Sequence, residues 1–318
     1  MNMRADLTIA IPTYNRCESV EMAVLDALPS VEAGEVSLLV IDDGSSDDTF
    51  ERLTPYVSDG VRVLRNEENL GYAGTFCRIF READTEWVMV SADDDRLDLT
   101  RWPDLKQFLR TEQPTFVSTQ WRVKSGAMLR GRDRNGPIRA GDLRHAAGHA
   151  PGLIYPVPAA RLAIPLLEDH LRRGSQAAHT YPQMVVAAQL VADGEAMWWA
   201  GELVREGNAL PSGLNDTAGR HYADAQSRLA QAFDFDRLYR EMAAASPRGR
   251  ARRSARTWVR DNDRLIYPAI RTSVLTDHPE IDGELMDRSV RRYFRRTTWR
   301  SYVKGLPVVS RLRGKTAG

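Results

Sequence analysis

The sequence predicts an α/β protein: a mostly parallel sheet flanked by helices, with a C-terminal α-helical appendage. Three observations carry that prediction. Short, partly β-branched apolar runs at 7–11, 36–41, 61–64 and 87–90 alternate with helix-length segments, as buried parallel strands joined by right-handed crossovers do. Polar clusters stand directly behind three of those runs: Pro12-Thr13-Tyr14-Asn15-Arg16, Asp42-Asp43-Gly44-Ser45 and Ser91-Ala92-Asp93-Asp94-Asp95. From Arg220 onward strand signals become few, and Arg-rich helical segments are separated by Ser246-Pro247, Tyr267-Pro268 and His278-Pro279.

Each element has its own local reason. The first helix is expected to open on a capping box formed by Asn15 and Glu18. The second follows Ser45-Ser46, its expected caps, with Asp47 and Asp48 in the first turn, where the helix dipole favours acids. A third helix spans 71–83. After Asp95 the pattern gives a helix at 101–111, a strand at 115–121 and a Gly- and Arg-rich polar stretch at 124–150. A loop of that length usually has a function. A strand at 153–157, helices at 159–172 and 181–193 and an apolar run at 196–203 complete the first domain. The expected division is a first domain over 1–215, in two halves at 1–120 and 121–215, followed by a basic helical region over 216–318.

Composition narrows the function classes. At 318 residues with ordinary apolar and charged fractions, the chain can bury a sizeable core. Its net charge of +1 hides an asymmetry: residues 246–318 hold about eighteen Lys/Arg against about seven Asp/Glu, so the rest is acidic. Cys17 and Cys77 both fall in expected helices, which excludes a disulfide framework or a zinc cluster and suits a reducing compartment. No apolar run is long enough to span a bilayer, and residues 1–6 are too short and polar for a secretory signal. The expected location is cytoplasmic.

In an open parallel sheet the strand carboxyl ends share one edge, where ligands bind. The three polar clusters therefore converge on one site, rich in carboxylate oxygens, that suits a hard divalent cation and the diphosphate it neutralises. Such a chain acts on a nucleotide-linked substrate. A uracil or thymine ring offers one N–H and two carbonyls, which a carboxylate and backbone amides can read, while Tyr14 offers a stacking face.

The series Ile11-Pro12-Thr13-Tyr14-Asn15-Arg16, Asp42-Asp43-Gly44-Ser45, Asn69-Leu70-Gly71 and Ala92-Asp93-Asp94 resembles the family 2 glycosyltransferases, which have the GT-A fold. The resemblance covers roughly the first third of the chain. It implies inverting transfer of a sugar from a nucleotide-diphosphate donor to a hydroxyl of a glycan or lipid-linked acceptor, with Mg²⁺ or Mn²⁺ as cofactor. It assigns the nucleotide to Pro12, Thr13, Tyr14, Asn15, Asp42, Asp43, Asn69, Gly71 and Asp93, with Asp43 accepting a base imino hydrogen. Ser91 stands where the family's Asp-x-Asp-Asp motif has its first aspartate, so the metal falls to Asp93 and Asp94, or to Asp93 and Asp95 as a literal Asp-x-Asp. The family often carries an Arg-Asn pair where this chain has Phe76-Cys77. Arg78, one step further on, either meets the nucleotide phosphate or is a solvated helix residue.

Inverting transfer needs a base on the acceptor side of the sugar. Asp169 is the first candidate, Glu168 the second and His179, just before the expected helix at 181–193, the third. His145 and His149 have the i, i+4 spacing of a metal pair but no third ligand. In the basic tail, Arg248 to Arg253 and Arg288 to Arg300, with Tyr293, Phe294, Trp299 and Tyr302 interleaved and an apolar stretch at 303–309, fit a peripheral enzyme on an anionic inner leaflet. No nucleic acid partner is expected, because no reading motif accompanies the charge. A haloacid-dehalogenase phosphatase is excluded because Asp42 and Asp43 are adjacent on the second strand. Nucleotidyltransferases and dinucleotide dehydrogenases are excluded because the turn after the first strand has no glycine. The non-catalytic alternative is a sugar-nucleotide-binding or scaffold subunit of a polysaccharide assembly, which the departure at Ser91 would suit.

Overall fold

The structure, a computed structural model, describes residues 5–207, 219, 221–222, 224–245, 249–262 and 283. Its chain forms two compact units, residues 1–174 with 181–213, and residues 175–180 with 214–318.

In the first unit, β1 (Leu7–Thr13), β2 (Ser37–Asp42), β3 (Val61–Arg65) and β4 (Trp87–Val90) are the four parallel strands the apolar runs foretell. The helices between them are α1 (Cys17–Glu32), the short α2 (Thr49–Leu53) and α3 (Gly71–Glu82). After the two-residue β5 (Arg96–Leu97) come α4 (Trp102–Glu112) and β6 (Phe116–Arg122). The polar stretch expected as a loop holds β7 (Met128–Arg130), β8 (Gly136–Pro137) and α5 (Leu143–Ala147). Then follow β9 (Leu153–Pro156), α6 (Val157–Arg172), α8 (Pro182–Asp193) and β10 (Ala196–Arg205), with α7 (Gln176–Thr180) lying in the second unit.

Among the described residues these strands make one ten-stranded sheet, ordered β3-β2-β1-β4-β9-β6-β10-β5, with β7 beside β6 and β8 beside β10. Strands β1 to β4 pair in parallel, as do β6 and β10, while β9 runs antiparallel between β4 and β6. One face packs on α1 and α4 through Ile9, Ile11, Val24, Trp102 and Leu105. On α3, Phe76 and Phe80 meet the Tyr155 ring of β9 edge to face, 6.2 and 5.2 Å between centroids. Removing a fully buried ring such as Phe80 costs about 3–5 kcal/mol.

Two capping expectations are corrected. Asn15 does not cap α1: Arg16 occupies the cap position with no side-chain bond, and the Asn15 Oδ1 instead accepts the Ser46 N–H at 2.8 Å. Helix α2 begins at Thr49, after Asp47 and Asp48, because Asp47 Oδ1 accepts from the Thr49 N–H at 3.1 Å and Ser45 is drawn to Asp42. Asn15 thus took a tertiary partner over the local one, while Ser45 turned back to Asp42 three residues earlier.

In the second unit, α7 joins α9 (Ala225–Ala245) where the Gln176 N–H donates to Asp234 Oδ2 at 2.6 Å. A helical stretch over 250–262 adds Trp258 against Tyr239, centroids 5.4 Å apart. Its Asn262 Nδ2 donates to the Ala232 carbonyl at 2.9 Å. Residues 288–300 and 303–309, on which most of the membrane expectation rests, lie outside the described residues. Among the described residues no helix is long and apolar enough to cross a membrane.

Candidate active site

Strands β1, β2 and β4 deliver their polar clusters to one edge because the ladder continues one residue past each. The Asp43 N–H donates to the Thr13 carbonyl at 2.8 Å, Asn66 N–H to Asp42 at 2.8 Å, and Ser91 N–H to Ala10 at 2.9 Å. Carboxylates at successive strand ends are thereby brought side by side.

Asp42 and Asp43, adjacent in sequence, face different tasks. Asp42 is wholly buried; its Oδ1 accepts from the backbone N–H of Ser45 at 3.0 Å and from the Ser45 hydroxyl, and Oδ2 stands 3.3 Å from Arg65 Nε. Asp42 thus ties the turn together. Asp43 gathers three donors on one oxygen: Oδ1 accepts from Asn66 Nδ2 at 2.5 Å, the Leu70 N–H at 2.9 Å and the Thr75 hydroxyl at 2.8 Å. Arg78 braces this clamp, donating to Asn66 Oδ1 at 2.6 Å and the Arg65 carbonyl at 2.8 Å. Gly44, at φ +73°, lets the next loop approach so closely that a Cβ would lie 3.1 Å from the Glu68 carbonyl carbon. Asn69 closes that loop by accepting the Gly71 N–H at 2.8 Å.

On the other side, Asn15 takes a left-handed φ of 52°, which asparagine tolerates better than most residues. Its N–H donates to Ser45 Oγ at 2.8 Å, fastening the β1 loop to the β2 loop. Tyr14 is exposed beside it and Pro12 half-buried.

Asp93 is buried, and burial pushes its carboxyl above the usual range, opposed by the Arg16 charge and the Thr13 hydroxyl. Thr13 Oγ1 donates to Asp93 Oδ2 at 2.8 Å. Arg16 Nη1 reaches Asp93 Oδ1 at 2.9 Å and Asp94 Oδ2 at 3.3 Å. Asp93 and Asp94 are therefore a pair converging on one positive nitrogen. An all-oxygen pair of this kind fits a hard divalent ion.

Asp95 faces inward instead. Its buried Oδ2 lies near the buried Trp121 Nε1–H, whose polarity favours the carboxylate although the two fall outside hydrogen-bond geometry. Burial raises its pKa to about 7, with the neighbouring Asp94 adding to the rise. Behind it Arg130, fully enclosed, donates to the carbonyls of Thr119 at 3.0 Å, His149 at 2.6 Å and Pro151 at 2.5 Å. Burial lowers the Arg130 pKa to about 9, which leaves it cationic at neutral pH. Gly207, just past β10, lies against the metal loop: a Cβ there would sit 2.0 Å from the Asp94 carbonyl oxygen.

Glu168 and Asp169 are not drawn to this edge by any described bond. On α6, Glu168 pairs with Arg81 in the last turn of α3, and Asp169 with Arg172 at 3.1 Å and Arg173 at 2.8 Å. His179 lies on α7 in the second unit. Another trio with ligand-like spacing, Cys17, Asp47 and Asp48, is a poor metal site, since burial and the two carboxylates raise the Cys17 pKa away from the thiolate a metal needs.

Asn66, Thr75, Trp121, Arg130 and Gly207 went unread in the sequence. Asn66 alone carried a signal, as a polar residue just behind the β3 run, after Arg65.

Residues 8–153 match the family model described as glycosyl transferase family 2. The matched segment holds the strand-edge acids, so this part of the chain is similar to the family 2 glycosyltransferases, and the fold is of GT-A type. Among solved structures, residues 1–349 of S. aureus TarS in complex with UDP-GlcNAc align at TM-score 0.55 and 12% identity, over 94% of this chain and 92% of that one. A longer S. aureus TarS structure gives TM-score 0.54 at 12% identity over 85% of this chain, which spans only 43% of it. The mannosyltransferase PcManGT from Pyrobaculum calidifontis, in complex with GDP-Man and Mn²⁺, gives 0.52 at 14% identity over 95% and 84%. Likeness at such identities is likeness of fold. No curated protein sequence matches the chain.

Proposed function

We propose that this protein transfers a sugar from a nucleotide-diphosphate donor to a hydroxyl of a glycan or lipid-linked acceptor, with inversion, in polysaccharide or glycoconjugate synthesis. The observation that carries the reading is the single strand edge at which Asp43, Thr13 and the Asp93–Asp94 pair meet. With Oδ1 held by three donors, Asp43 offers its other oxygen to a base N–H, and Tyr14 offers a face for the ring. The solved relatives bound to UDP-GlcNAc and to GDP-Man support a sugar nucleotide as donor.

Asp93 and Asp94 would hold Mg²⁺ or Mn²⁺, which when bound neutralises the departing diphosphate. Thr13 and the buried setting keep Asp93 aimed at that position. Asp169 is the first candidate for the base that removes the acceptor proton, with Glu168 and His179 behind it. Residues 1–215 carry the reaction in this reading, and the basic region 216–318 rests on an anionic inner leaflet. Failure to sediment with anionic vesicles at low salt would remove the membrane part alone.

A thermal-shift panel of UDP, dTDP, GDP and CDP with and without Mn²⁺ tests the donor site, because a ligand of the native state raises its stability. The expected result is a shift for one nucleotide that requires Mn²⁺ and is lost in Asp94→Ala. Absence of any shift would favour a scaffold role.

A further inference from the structure

Resting on that reading, one residue between the acids remains to be explained. Arg16 stands at the cap position of α1, its backbone fixed by the Thr49 hydroxyl at 3.2 Å from its N–H, and its carbonyl accepts from the Val20 N–H at 3.0 Å. One nitrogen of its guanidinium contacts a carboxylate oxygen of each acid, 2.9 Å from Asp93 and 3.3 Å from Asp94. The side chain is about one-quarter exposed, at 23%, so solvent reaches it where it stands.

We propose that Arg16 is the resident cation of the Asp93–Asp94 pair, exchanged for a divalent ion when donor binds and then retained beside it as a second positive charge on the diphosphate. A guanidinium between two carboxylates and a divalent ion held by the same pair compete, because two positive charges at one place repel each other. Two neighbouring carboxylates at a strand end repel one another, and a positive charge between them offsets that repulsion. Arg16 relieves that repulsion in the empty protein and makes the ion compete for the site. Tethered to α1, the displaced guanidinium remains within reach of whatever anion the ion holds, and arginine grips phosphate oxygens in a two-pronged fashion.

The test measures Mn²⁺ binding directly, by the electron paramagnetic resonance of free Mn²⁺, in the wild type, Arg16→Ala and Arg16→Gln, without nucleotide. Losing two partly screened ion pairs corresponds to about tenfold in affinity, so both variants should bind Mn²⁺ about tenfold more tightly. Arg16→Gln keeps a hydrogen bond to Asp93 and guards against misfolding of the alanine variant. With Mn²⁺ saturating, the nucleoside diphosphate that shifts the wild type should bind about tenfold more weakly to both, and Arg16→Lys should restore part of that loss. Equal or weaker Mn²⁺ binding in the variants overturns the exchange, and unchanged nucleotide affinity overturns the second role. Mn²⁺ bound by none of the proteins, with or without nucleotide, removes the metal reading itself and the exchange with it.

Discussion

Replacing Asp43 separates its two jobs. In Asp43→Asn the Oδ1 acceptor persists for Asn66, Leu70 and Thr75, but the second oxygen becomes an NH₂ that repels a base N–H. Charge-assisted bonds are about twice as strong as neutral ones, so this variant should lose about 1–2 kcal/mol of stability. Asp43→Ala leaves three donors without an acceptor at a buried position; at about 1–3 kcal/mol for each unsatisfied group, and with partial rehydration, about 3–5 kcal/mol should go. At about 2–4 °C per kcal/mol for a domain of this size, Tm falls by a few degrees in the first case and by about 10 °C or more in the second. Calorimetric titration with the nucleoside diphosphate that shifts the wild type should show at least tenfold weaker binding to Asp43→Asn, far beyond its loss of stability. Equal unfolding temperatures for the two variants would refute the clamp, and wild-type affinity in Asp43→Asn would refute base reading.

Three further outcomes are expected. Asp95 titrates near 7 when folded against about 3.8 when unfolded, so the native state binds more protons between those values. Stability without metal should therefore fall by on the order of 2–4 kcal/mol as pH rises from 4 to 7 and level off above, and chemical denaturation of Asp95→Asn should show that slope flattened. Gly207→Ala must push the Asp94 carbonyl aside; about 1–3 kcal/mol of stability and most of the Mn²⁺ affinity should go, read by unfolding and by metal titration. Asp169→Asn, if Asp169 is the base, lowers kcat at least a hundredfold while leaving donor KM unchanged, and an unaltered kcat passes the role to Glu168 or His179.

What the sequence revealed follows from what is local. Four apolar runs with polar residues behind them announced the parallel strands and their shared edge, because a strand and its end are written in consecutive residues. The antiparallel β9, inserted between β4 and β6, was legible as a strand at 153–157 but not in its direction, since direction depends on pairing with residues far along the chain. The same limit hid the clamp on Asp43, whose donors come from positions 66, 70 and 75, and the approach of Gly207 to Asp94. Asn15 and Ser45 were misread as helix caps because local spacing satisfied a capping pattern while the two loops offered each other better partners. Asp93, Asp94 and Asp95 looked equivalent as a run. Tertiary contacts separate them, sending Asp93 and Asp94 toward Arg16 and Asp95 toward Trp121.

The acids at this strand edge would hold the ion that stabilises a nucleoside diphosphate as it leaves its sugar. Release of nucleoside diphosphate from a panel of UDP-, dTDP-, GDP- and CDP-sugars by the wild type, with Mn²⁺ or with a chelator, tests it most directly. Release is expected from one nucleotide class, requiring Mn²⁺ and abolished in Asp94→Ala. Release that persists undiminished in the chelator and in Asp94→Ala would contradict it.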